Sequence, residues 1–359
     1  MLNRFKLRFV LLAFAAVSLI AGLWAGAARM GLDLPALNQD LPSNHGPLMV
    51  VGFLGTLIAL ERAVALDRLW PYGAALLAGG SVLTVLLGFP PEFSAALALV
   101  GSCLSMLVFV SLYRLAPAAH FIVMILSAVL WAVGNTLWLV AQPFNVAAPW
   151  WVGFLVLMIA GERLQLSRVM QRPARASWLF NASVAVFLIG LAISLPAFDV
   201  GIRIAGAALL ALALWLFRYD IAGRTVREHG LPRYMAVSLL CGYFWLAAAG
   251  MLWITFADDF VAGPKYDAML HVIFLGFVFS MIFAHAPVIF PSVTGFALPF
   301  RRSFYLHLAL LHGSLLLRFG GDLVSSTAVQ QWGGVGNIAA VLLFLFNNIR
   351  SVATARSQQ

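Results

Sequence analysis

The chain is a succession of long apolar runs, each broken by a few polar residues. The run "HGPLMVVGFLGTLIALERAVAL" at 45–66 is typical. A bilayer core takes about 20 apolar residues as a helix, and runs of that length follow one another almost to the end of the chain. They predict twelve helical spans, over 8–30, 45–67, 70–89, 93–114, 119–141, 149–168, 177–197, 200–218, 233–257, 267–290, 303–319 and 332–350. The longest polar connections are 31–44, 169–176 and 219–232. No stretch has the character of a soluble domain or a low-complexity tail. The expected fold class is all-α, a polytopic membrane protein with one transmembrane domain over 1–359.

Composition agrees with the pattern. Of the 359 residues 63% are hydrophobic and only 10% charged, with mean hydropathy +0.97; a soluble domain carries about 25% charged residues. The net charge of +9 does not imply nucleic acid, because topology accounts for where the cations lie. With "MLNRFKLR" in the cytoplasm, all of the 22 lysines and arginines except Arg29, Arg203, Lys265 and Arg318 fall on the cytoplasmic side. The outer connections carry Asp33, Asp40, Glu92, Asp199, Asp258 and Asp259 instead. The expectation is a multi-pass protein of the inner (plasma) membrane with both termini cytoplasmic. Residues 172 and 226 then lie inside, and 199 and 262 outside. The first apolar run is longer than the core of a cleaved signal peptide. The lipid bilayer is the implied partner. Cys103 and Cys241 fall mid-span in different helices, without CxxC spacing, as expected of small core residues.

An internal repeat overlies the spans. GFLGTLIALER (52–62) and GFLVLMIAGER (153–163) agree at seven of eleven positions, and GFVFSMIFAHA (276–286) is a weaker third copy. The three blocks, around 45–67, 149–168 and 267–290, fall in spans two, six and ten. That is a pseudo-threefold recurrence every four helices.

Ionisable residues inside membrane helices are costly and tend to be functional. His45 begins span two and His271 lies near the start of span ten, so the two share an outer depth on parallel helices. Two neutral imidazoles facing each other can ligate a haem iron from both sides, with Gly46, Gly52 and Gly276 available to let a flat macrocycle approach. Each ring would donate its other N–H to an acceptor; for His45, Asn44 or a loop carbonyl could serve. The alternative is that His45 caps an interface and His271 is a hydrogen-bonded polar residue between helices.

"HGPLM" at 45–49 resembles the start of helix two in subunit I of the haem-copper oxidases. Twelve helices, cytoplasmic termini and recurrence every four helices are also similar to that superfamily. The resemblance implies an oxidase subunit I-like fold and makes His45 and His271 the axial ligands of one haem b. It does not extend to a copper site: span six, "WWVGFLVLMIAGERLQLSRV", has no histidine, and no His-His pair occurs. The NnrS family of membrane haem proteins associated with nitric oxide is a looser comparison.

A second level lies toward the cytoplasm. Glu61, Glu162 and His285 occupy the same position of the three blocks, with Met281 one turn before His285 and His312 on span eleven. Carboxylates and histidine suit a divalent metal such as iron, manganese or zinc, Met281 points to copper instead, and the same groups suit a proton relay. The competing reading pairs Glu61 and Glu162 with Arg62 and Arg163 across the repeat axis. On an ideal helix, at 100° per residue, Glu61 is turned roughly 160° from His45, while His271 and His285 differ by about 40°. Trp24, Trp70, Trp150, Trp151 and Trp332 suit interfacial belts, and "FGGDL" (319–323) suits an outer turn. No HExxH and no Ser-His-Asp arrangement is visible.

Three functions follow as expectations. The first is a membrane haem b protein with a redox, electron-transfer or nitric-oxide-related role, served by a redox partner protein or subunit. The second is a haem-free secondary transporter with a buried Glu/His site. The third is a membrane assembly or accessory protein.

Overall fold

The computed structural model describes residues 4–35, 41–170 and 172–356; Asp40, counted above among the outer acids, lies outside them. The described residues are helical and contain no strand. Twelve main helices follow in chain order: α1 (Arg4–Arg29), α2 (Pro42–Leu66), α3 (Tyr72–Leu86), α4 (Pro91–Leu115), α5 (Ala119–Leu139), α6 (Phe144–Leu166), α7 (Ala174–Ile193), α8 (Phe198–Tyr219), α9 (Leu231–Thr255), α10 (Pro264–Thr294), α11 (Phe304–Leu323) and α12 (Thr327–Arg356). Each predicted span coincides with one of them. Ten are long and apolar enough to cross a membrane. The other two are α3, which has 15 residues, and α11, which carries His307, His312, Arg318 and Asp322.

Proline and glycine set several boundaries. Pro91 opens α4, Pro264 opens α10 directly after Gly263 at φ +91°, and Gly230 at φ +65° precedes α9. A proline in the first turn sacrifices no intrahelical hydrogen bond. Asp67 ends α2 in the left-handed conformation, φ 50°, and both its carbonyl and its carboxylate accept hydrogen bonds from Arg4 at 2.9 and 2.8 Å.

The chain divides into two compact units, residues 1–161 with 291–295, and residues 162–290 with 296–359. In the first, α1 packs on α2 and α3, α3 on α4, and α4 on α5. Ala21, Ala25, Leu41, Leu48 and Val82 form a core edged by Trp24 and Leu86. Trp150 and Trp151 are buried here, not in a belt, and the Trp151 indole donates to Asn135 Oδ1 at 3.0 Å. Trp70 and Trp332 are exposed, as a belt requires. Cys103, expected in the core, is also exposed.

In the second unit α8 packs between α7 and α9, α9 also meets α10, and α11 packs against α12. Without a hydrophobic drive between helices in lipid, close packing relies on small residues. A Cβ on Gly201 would fall on the Ser194 backbone nitrogen, and one on Gly206 would lie 2.8 Å from the Gly250 carbonyl oxygen.

Two helices are not α throughout. In α2 the segment Leu48–Gly55 is π-helical, and in α10 the segment Val272–Phe279 is. Each starts four residues before its block's glycine, Gly52 or Gly276, and ends three after it. The corresponding part of α6 is plain α-helix with Pro149 inside. Since π turns are wider than α turns, the ideal-helix angles from His45 to Glu61 and from His271 to His285 do not hold.

Candidate functional site

Polar side chains gather at three levels along α10 and α11 in the second unit. At the start of α10, Arg318 of α11 grips Asp267 with both arms, Nε to Oδ2 at 2.8 Å and a terminal nitrogen to Oδ1 at 2.9 Å. Such bidentate pairs are among the strongest charge-assisted hydrogen bonds. One turn along α10, His271 Nδ1 lies 2.9 Å from the Asp267 carbonyl oxygen and 3.1 Å from its Oδ1. The same Arg318 nitrogen lies 3.3 Å from His271 Nε2. The Nδ1 atom therefore carries the imidazole proton, and Nε2 accepts from arginine. Behind them is Asp322, 1% exposed, with no hydrogen-bond partner for either carboxylate oxygen. Asp267 and Arg318 are its charged neighbours, and Gln330 of α12 adds a neutral amide.

At the middle level the Trp245 indole donates to His312 Nδ1 at 2.9 Å. His312 Nε2 lies 3.5 Å from Ser280 Oγ, which donates to the Gly276 carbonyl at 2.6 Å. At the third level, near the end of α6, Arg163 donates to both oxygens of Asp220 at 2.9 and 3.0 Å. Asp220 also accepts from the Ala222 backbone N–H at 2.8 Å. A further Arg163 nitrogen lies 3.2 Å from His285 Nε2, and His285 Nδ1 donates to the Met281 carbonyl at 2.8 Å. Tyr243, fully buried, is within electrostatic reach of Arg163 and Asp220, yet its hydroxyl has no hydrogen-bond partner.

These placements revise several expectations. Glu61 meets Arg62, its own neighbour, at 3.1 Å, a local pair and not one across a repeat axis. Arg163 takes Asp220, with Glu162 acting electrostatically on both Arg163 and His285. His285 and His312 each have both ring nitrogens in polar contacts, and the Met281 methyl packs at Gly242. Among the described residues no three His, Cys, Asp or Glu side chains gather so as to hold a metal ion. Gly52 makes room for Ser18 and Val82, and Gly276 for Trp245, so neither borders a space for a macrocycle; Gly46 faces Trp151.

His45 lies in the first unit. Its Nδ1 is 2.8 Å from the Gly22 carbonyl oxygen, an acceptor on α1 and not Asn44 or a loop. Gly26, one turn later on α1, leaves room for the ring: a Cβ there would lie 2.9 Å from His45 Cε1.

Asp220 and Asp322 were not among the candidates. Asp220 begins a connection rich in arginine, and an acid there is a signal for pairing. Asp322 belongs to "FGGDL", which is the last turn of α11 and not an outer turn. A Cβ on its Gly321 would lie 2.5 Å from the Gln330 backbone nitrogen, so the glycine serves close approach of α12.

Residues 8–353 match the family described as a domain of unknown function, DUF8744. No curated protein matches the chain.

Proposed function

The chain belongs to the DUF8744 family, and we propose that it is an ion-coupled membrane transporter that passes protons along the α10–α11 seam of its second unit. Its place is the inner membrane with both termini cytoplasmic, from the cation asymmetry. The carrying observation is that hydrogen-bonding side chains occupy three levels of one membrane helix pair. They are Asp267, His271, Arg318 and Asp322 outermost, then Ser280 and His312, then His285 with Arg163 and Asp220. His271 and His285 are 14 residues apart in sequence, roughly 21 Å at 1.5 Å per residue, most of a hydrocarbon core. Buried ionisable groups of this kind mark ion pathways and proton relays. A histidine neutral at both ends of its cycle can take a proton on one nitrogen and release it from the other.

The test is proton flux into proteoliposomes under a potassium diffusion potential, followed with an enclosed pH dye. Wild type should exceed protein-free vesicles. His312→Leu should fall to the protein-free rate, and His229→Ala, in the basic connection, should match wild type. Equal flux in wild type and His312→Leu would remove the seam from the mechanism.

A second reading is a haem b protein with His45 and His271 as axial ligands and electron transfer as its role. One observation favours it: His45 is held by Nδ1 on a carbonyl, as axial imidazoles are. Bound haem would supply one-electron chemistry, with His45 orienting its ring through Gly22. His271 fits less well, because Arg318 approaches its Nε2. Under this reading purified protein expressed with ample haem shows a reduced-minus-oxidised Soret and α band that His45→Ala removes. Absence of both bands, with iron below stoichiometry, eliminates it.

A further inference from the structure

Resting on the transport reading, we propose that Asp322 is held as a neutral carboxylic acid hydrogen-bonded to the Asp267 carboxylate, and that this pair is where protons enter and leave the seam. Asp322 is 1% exposed and neither of its oxygens meets a donor. An ionised carboxylate placed so would be a bare charge in a medium of low dielectric, which proteins avoid by neutralising the group. The cations nearby are already committed. Arg318 gives both arms to Asp267, and His271 Nδ1–H is directed to Asp267 as well.

The charged and titratable groups acting on Asp322 are Asp267 and, through it, His271 on α10, with Arg318 on its own helix; α12 contributes the neutral Gln330. If Asp322 were ionised, two carboxylates would share one arginine in a buried cluster. With the proton present the cluster is neutral, and the acid O–H supplies the donor that Asp322 otherwise lacks. Asp267 and His271 are 22% and 18% exposed at their side chains. A proton can therefore pass from solvent through Asp267 to Asp322 behind it, and no bond other than O–H is made or broken. The site selects a proton over a metal cation, because the guanidinium already occupies the carboxylate that a cation would need.

The experiment is infrared difference spectroscopy of the full chain in nanodiscs, with and without sodium. Wild type should show a carboxylic acid C=O band at neutral pH, well above the ordinary carboxylate pKa of about 4. That band should be missing from Asp322→Asn and unaffected by sodium. Asn is nearly isosteric with a protonated Asp, so Asp322→Asn should fold with wild-type stability. No such band, a band that sodium removes, or an Asp322→Asn protein that fails to fold would each overturn the assignment. Flux separates the two ideas. Proton flux without the band leaves transport standing and removes Asp322, whereas the band without flux leaves the neutral acid standing and removes transport.

Discussion

Replacing Asp220 by Ala should destabilise the protein by about 3–5 kcal/mol, the loss expected when one member of a buried ion pair is removed. The Arg163 and Asp220 side chains are 3% and 1% exposed, so the abandoned guanidinium has no solvent to turn to. His285 cannot replace the acid, because it already accepts from the same arginine. Denaturant titration in mild detergent measures the loss. The double variant Arg163→Met with Asp220→Leu should be more stable than Asp220→Ala, since an apolar pair of similar volume leaves no charge uncompensated. If the double variant is as unstable as the two single losses added together, the residues do not act as a pair.

The second large effect is steric. Gly201→Val should destabilise by roughly 3 kcal/mol, at the upper end of overpacking, because the neighbour is backbone. An added Cβ falls on the nitrogen and Cα of Ser194, and the α7–α8 connection cannot turn aside as a side chain can. Gly313→Ala on α11 is the matched control, since nothing lies within 4 Å of that position. It should stay within about 0.5 kcal/mol of wild type. Equal melting temperatures for the two variants would show that α7 and α8 are not held by this contact.

The helices were legible because their signal is long and local: twenty apolar residues leave one economical conformation in lipid. The His-bearing levels were legible too, since a histidine in such a run stands out. Partners were not. Arg163 is adjacent to Glu162 in sequence, yet its fork goes to Asp220, 57 residues on. Which acid meets which base depends on helix rotation, and the π segments change rotation without a mark in the hydropathy. Asp322 was hidden differently. Two glycines before it suggest a turn, whereas Gly321 serves close contact with α12 inside a continuing helix.

The π segments also bear on how related chains are to be aligned. A π stretch closes its hydrogen bonds over five residues where an α-helix uses four, so it can absorb a single-residue deletion by reverting to α. A deletion within Leu48–Gly55 or Val272–Phe279 is then a tolerated event that swings everything beyond it by about 100°. The same deletion in the matching part of α6 has no such slack. Gaps inside these two membrane helices are therefore to be read as changes of facing, and a residue matched by column beyond one of them need not be matched by side.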